Sequence, residues 1–192
     1  MSGDRIGIVG GTFDPVHVGH LMDASAARHQ LGLDQVLVVV ASDPWQKRER
    51  VIAPAEIRYD MVVAALDGAE GIDASRIELE RDGATYTIDT VEQLTRPGRE
   101  LFLVVGSDVA AGLASWHRVD ELRALVTLAI VDREAEPFSA PDGWRVERVA
   151  VPRLELSSTD LRARVAAGEP IDFLVPTPAA RILRAHQLYE SA

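Results

Sequence analysis

The chain has 192 residues, 47% apolar and 26% charged, with no cysteine and a formal net charge of −10. That balance fits one folded domain, residues 1–192, and excludes disorder, disulfides, Fe–S clusters and thiol catalysis. Thirty acidic against twenty basic residues argue against a nucleic-acid surface, and an anionic ligand would need local clusters of positive charge.

The elements follow one another in an alternating order. A strand is expected at Arg5–Gly10, then a loop and a helix over Gly19–Leu31. Further strands are expected at Gln35–Ala41, Arg76–Glu80, Glu100–Val105, Thr127–Asp132 and Arg145–Val151. Helices are expected at Pro54–Leu66, Thr87–Leu94, Val119–Leu125, Ser158–Ala167 and Pro178–Tyr189. VLVVV, LFLVV and TLAIV are short continuous apolar runs, as strands buried on both faces require. Arg133–Gly143 reads as a polar loop. The βαβα alternation predicts an α/β fold, a Rossmann-like doubly wound parallel sheet with helices on both faces. The longest apolar runs, VLVVVA and MVVAAL, are too short to cross a bilayer. MSGDRIGIVGG has no basic leader before an apolar stretch, so a cytoplasmic protein with no membrane partner is expected. Nothing in the sequence speaks to oligomeric state.

Open sheets of this kind bind ligands beyond the carboxyl ends of their strands, where the strand order reverses. The segments GGTFDPVHVGH, SDPWQK, GSDV and LSSTDLR, each following a strand, are therefore expected to face one crevice. In the first, Gly10 and Gly11 let backbone N–H groups approach a ligand closely, and His17 and His20 share one face of a helix start. A zinc pair would need further ligands, and none is evident. GxxxxGK[ST] is absent and the first turn reads GIVGGT, so a P-loop NTPase and a GxGxxG dehydrogenase are poor matches.

In LSSTDLR, Ser157 or Ser158 can cap a helix, and Ser157 with Asp160 has the spacing of a capping box. Capping does not explain Arg162, a cation in a first turn whose dipole disfavours it. An anion at that helix end would explain it, bound by Thr159 and Arg162. Lys47 follows the second strand and can reach the same crevice, and Trp116, beside His117, can stack on a flat ring. Gly106 and Asp108 of GSD suit a ribose hydroxyl or a helix cap.

GxFDPxHxGH after the first strand, with SSTxxR late in the chain, resembles the HIGH-type adenylyltransferases of the nucleotidyltransferase superfamily. Within it, the ordered set GGTFDPVHVGH, DPWQK, TYTIDT, GSD, SWHR and LELSSTDLR is similar to the bacterial nicotinate-nucleotide adenylyltransferases, most to the actinobacterial form. DPWQKRER stands where many members carry a PPHK-like stretch, with Trp45 and Gln46 in place of the His. The resemblance implies that ATP and nicotinate mononucleotide, with Mg2+, give deamido-NAD and pyrophosphate. It also implies roles for residues. His17 and His20 would hold the α-phosphate and the phosphate chain, and Lys47 and Arg162 the departing phosphates. Gly10, Gly11, Thr12 and Phe13 would orient ATP, Gly106 and Asp108 its ribose, and Ser158 and Thr159 the adenine end. Trp116 would stack on the pyridine ring. Backbone N–H groups at Thr85, Tyr86 and His117 would take the carboxylate, and no metal ligand is implied. Nicotinamide mononucleotide or phosphopantetheine as acceptor, or a non-catalytic nucleotide sensor, are the alternatives.

Overall fold

The computed structural model describes residues 4–43, 53–81, 83–132 and 140–190. Strands β1 (Asp4–Gly11), β2 (Gln35–Val40), β3 (Ile72–Ser75), β4 (Arg99–Gly106), β5 (Val126–Asp132) and β6 (Val146–Ala150) form a six-stranded sheet in the order β3-β2-β1-β4-β5-β6. Every neighbouring pair is parallel, and β1 lies between β2 and β4. The chain winds outward from β1 in one direction and then returns past it to wind the other way. This is the doubly wound, Rossmann-like arrangement, and its switch point lies between β1 and β4.

Register explains why the strands read as continuous apolar runs. Val38, Val9, Val104 and Ala129 sit side by side across β2, β1, β4 and β5 and face one core. Their neighbours Ile8, Leu103 and Leu128 form a second row that faces the other core. Successive side chains point to opposite faces, so two apolar layers demand apolar residues at both parities. Helices α1 (Val18–Gln30), α2 (Ala55–Ala65), α6 (Ser158–Ala166) and α7 (Thr177–Ala185) cover the first layer, and α7 packs on α2. Helices α3 (Thr87–Leu94), α4 (Ser107–Ala110) and α5 (Val119–Leu125) cover the second. Ala24 and Ala27 are fully buried, and their small size lets α1 sit close to the sheet.

Three expectations are corrected. The third strand is Ile72–Ser75, and residues 76–80 form a turn in which Leu79 and Glu80 N–H donate to the Arg76 carbonyl at 2.8 and 3.2 Å. The alternation in RIELE fits a strand or a turn equally over five residues, and the turn points Glu78 inward. Pro54 caps α2 rather than opening it. The last helix stops at Ala185, because Gln187 and Tyr189 adopt left-handed φ angles of 49° and 64° that no helix can continue. The loop expected at 133–143 falls outside the described residues up to 139. Among the described residues, no helix is long and apolar enough to cross a membrane.

Fully burying one of these aliphatic side chains is worth about 1.5–3 kcal/mol. Leu128→Ala, at a site with no exposure, is expected to lose about 2–5 kcal/mol through transfer and cavity effects. A lowered urea midpoint with an unchanged slope checks it.

Candidate active site

β1 leaves the sheet at Gly11, and the chain turns under itself before α1 begins. A Cβ at Gly10 would meet nothing within 4 Å, so that face of the strand end opens into the crevice. Gly11 is glycine for a different reason: a Cβ there would lie 2.8 Å from the Phe13 ring. Phe13 has a left-handed φ of 51° and is buried beneath the loop, its ring edge-on to His20 with centroids 4.9 Å apart. His17 occupies the N-cap of α1, and its backbone N–H donates to His20 Nδ1 at 3.2 Å. The two imidazoles stack with centroids 3.7 Å apart. With Nδ1 accepting, the His20 ring proton belongs on Nε2, where it can donate to an anionic oxygen.

The facing wall is the start of α6. Ser157 accepts from the Asp160 N–H at 3.1 Å and donates to its carboxylate at 2.6 Å, the expected cap. The Ser158 hydroxyl donates to the Pro15 carbonyl at 2.9 Å, which fastens α6 to the first loop. Arg162 donates to the Asp14 carbonyl at 2.8 Å and to the Thr159 hydroxyl at 3.2 Å. Its guanidinium is thus held by the glycine-rich loop as well as by its own helix. Two helix N-termini and two histidines converge here on one space, the arrangement that attracts a chain of phosphates.

Beneath the loop lies a buried polar group that the sequence reading did not single out. Arg58 is 1% exposed. It donates to the carbonyls of Ala53 (3.0 Å), Thr12 (2.6 Å), Ala41 (2.9 Å) and Ser42 (3.3 Å). Burial pulls its pKa below the usual arginine value, and the negative charge of Asp14 works against that pull. Asp14, 2% exposed, accepts from Tyr189 Oη at 2.6 Å and from the Ala53 N–H at 3.3 Å. Burial first, and then the bond to Asp14, push the Tyr189 phenol upward. A signal existed for Arg58: it shares the inward face of α2 with Met61 and Val62, three and four residues on.

At the other end of the crevice, Thr85 donates to the Asp43 carbonyl at 3.2 Å, and Tyr86 lies against His117 with ring centroids 4.3 Å apart. Trp116 follows a short 3-10 turn (Leu113–Ser115) and packs partly into the second core. Arg118 takes a left-handed φ of 51° and donates to Glu92 and Glu121 at 2.6 Å each, tying this loop to α3. Asp108 folds its carboxylate over Gly106, where a Cβ would lie 2.5 Å from Oδ1. Glu78 accepts from the Thr90 hydroxyl at 2.7 Å, and Arg81 donates to that hydroxyl at 2.8 Å. Burial raises the Glu78 carboxyl pKa, while Thr90 and Arg81 oppose the rise. Glu78 lies in the 76–80 turn, where five residues of strand-like alternation give no sign of a buried carboxyl.

One cavity of about 520 Å³ joins these parts, a volume suited to small-molecule ligands. Each candidate residue within the described chain lines it, from Gly10 and His17 to Trp116 and Arg162. Lys47 lies outside the described residues. Among the described residues, no cluster of three or more His, Asp or Glu is placed to hold a metal ion.

The cytidylyltransferase-like family model matches residues 8–164. The probable nicotinate-nucleotide adenylyltransferase of Saccharopolyspora erythraea is 42% identical, covering 96% of this chain and 89% of its own length. That of Corynebacterium kroppenstedtii is 40% identical over 96% of this chain and 90% of its own. Among solved structures, nicotinic acid mononucleotide adenylyltransferase of Plasmodium falciparum, complexed with NaAD, superposes with a TM-score of 0.79 over 97% of each chain. At 18% identity that likeness speaks to the fold.

The raised Glu78 carboxyl makes stability depend on pH in a defined direction. The folded state holds its proton more tightly than the unfolded chain, so its contribution is complete below the ordinary value of 4.5 and is lost as pH climbs through the folded pKa. Glu78→Gln is expected to flatten that decline above pH 4.5, read as unfolding free energy against pH beside the wild type.

Proposed function

The chain belongs to the nicotinate-nucleotide adenylyltransferases, within the cytidylyltransferase-like family, and on that premise we propose how residues 1–192 work as one nucleotidyltransferase domain. The reaction joins nicotinate mononucleotide to ATP, giving deamido-NAD and pyrophosphate, a step of NAD biosynthesis. Enzymes of this ATP-using kind generally work with a divalent metal. We assign Mg2+, carried in as part of the ATP complex on phosphate oxygens and water.

A phosphate oxygen of the mononucleotide attacks the α-phosphorus of ATP. The new P–O bond forms as the bond to the β-phosphate oxygen breaks, and pyrophosphate leaves with the electron pair. The attacking oxygen is already ionised, so no protein base is required. Catalysis is positioning plus electrostatic stabilisation of the charge that spreads over the transferred group and its leaving partner. His20, donating from Nε2, and His17 beside it hold the α-phosphate and the phosphate chain. Arg162 neutralises the β- and γ-phosphates together with Lys47. Gly10, Gly11, Thr12 and Phe13 align ATP along the strand end, Gly106 and Asp108 take its ribose, and Ser158 and Thr159 border the adenine. At the acceptor end, Trp116 stacks on the pyridine ring. The carboxylate is received by N–H groups of Thr85, Tyr86 and His117. The observation that carries this reading is the facing of two helix N-termini, His17–His20 on α1 and Arg162 on α6, across one cavity. We assign the work to the cytoplasm, where Mg2+–ATP is at hand.

His20→Ala is expected to lower kcat about 10²–10³-fold, the range for losing one donor to a developing anion, with thermal unfolding little changed. Near-normal turnover would remove His20 from this role. Gly10→Ala separates binding from folding. Its Cβ meets no protein atom within 4 Å, so melting of the unliganded protein should hold while the shift produced by Mg2+–ATP shrinks. Pyrophosphate release with nicotinate and nicotinamide mononucleotides at matched concentrations tests the acceptor, and faster turnover of nicotinamide mononucleotide would overturn the assignment.

A further inference from the structure

We propose that Tyr189 is a positioning residue for phosphate binding, holding the Asp14 carboxylate back so that Arg162 stays available to ATP. The inference rests on Arg162 being a phosphate ligand, as assigned above.

Asp14 acts on Arg162 in two ways. Its backbone carbonyl accepts from Arg162 Nη1 at 2.8 Å, which orients the guanidinium toward the loop. Its carboxylate Oδ2 stands 3.9 Å from the same nitrogen, close enough for attraction and too far for a hydrogen bond. An arginine this near draws a buried carboxylate toward it, because a charge-assisted hydrogen bond is about twice as strong as a neutral one. Here the other carboxylate oxygen is engaged first: Tyr189 Oη donates to Oδ1 at 2.6 Å, and the Ala53 N–H donates to the same atom at 3.3 Å. In the chain's order the phenol lies beyond α6 and 175 positions from Asp14, yet it fixes the rotamer that decides how Arg162 is used. Without it, the carboxylate is drawn toward the guanidinium and competes with an incoming phosphate for the same N–H groups.

The backbone is shaped for this contact. α7 ends at Ala185, and Gln187 and Tyr189 both take left-handed conformations. Non-glycine residues adopt them only when their surroundings compel it. The ring of Tyr189 is buried in the first core, so its packing and its hydroxyl are separable by substitution.

Tyr189→Phe keeps the ring and removes the donor. It is combined with Arg162→Ala in a double-mutant cycle, read as kcat and KM for Mg2+–ATP and as Mg2+–ATP affinity by calorimetry without acceptor. Tyr189→Phe alone is expected to lower kcat/KM for ATP about tenfold, the effect of disturbing one buried hydrogen bond, with KM for nicotinate mononucleotide unchanged. In the Arg162→Ala background the same substitution should have little further effect, because the group it protects is gone. Full multiplication of the two losses, or wild-type kinetics in Tyr189→Phe, would overturn the proposal. A general loss of packing would lower melting in both backgrounds alike and would not be erased by Arg162→Ala. If the wild-type protein bound Mg2+–ATP but released no pyrophosphate with nicotinate mononucleotide, the acceptor reading would fail, while the calorimetric cycle would still decide the role of Tyr189.

Discussion

A guanidinium cannot be hidden from water unless every side it presents finds an acceptor. Arg58 meets that requirement with backbone carbonyls from the end of β1, the end of β2 and the approach to α2. Two neighbouring strand ends and a helix start are thereby pinned to one cation, and Asp14 supplies the opposing charge. The floor of the crevice is therefore set by electrostatics rather than by apolar packing alone. Loops that must present backbone N–H groups to an anion gain from being held so closely, since a misplaced donor loses most of its value.

Above that floor, the fold divides the work. The switch between β1 and β4 leaves a gap in which loops from both halves of the sheet can meet. One half contributes α1 with its stacked histidines, and the late part of the chain returns α6 to face it. The other end of the cavity is stiffened separately, by Arg118 across α3 and α5 and by Glu78 with Thr90 near Thr85 and Tyr86. His17, His20 and Arg162 gather at one end of the cavity, and Tyr86, Trp116 and His117 line the other.

Much of this was legible in the sequence because its signals are local. Continuous apolar runs mark β2, β4 and β5, and the glycines, histidines and the SSTDLR cap mark two facing walls of one cavity. Gly11 carries a reason the sequence does not display: beside any room it leaves for a ligand, it makes room for Phe13. What escaped were partnerships across long stretches of chain. Nothing near Asp14 in the sequence points to Tyr189, and nothing near Thr12 points to Arg58. Glu78 was lost to a two-residue-period pattern that a turn imitates equally well over five positions.

The bond between Tyr189 and Asp14 spans 175 positions. A ribosome extends the chain from its amino end, so the first loop is made early and its buried carboxylate waits for a donor synthesised far later. Fragments that stop short of Tyr189 carry the recognisable motifs without the contact that settles them. The buried carboxylate of the first loop and the phenol that meets it can be joined only after α7 has been made.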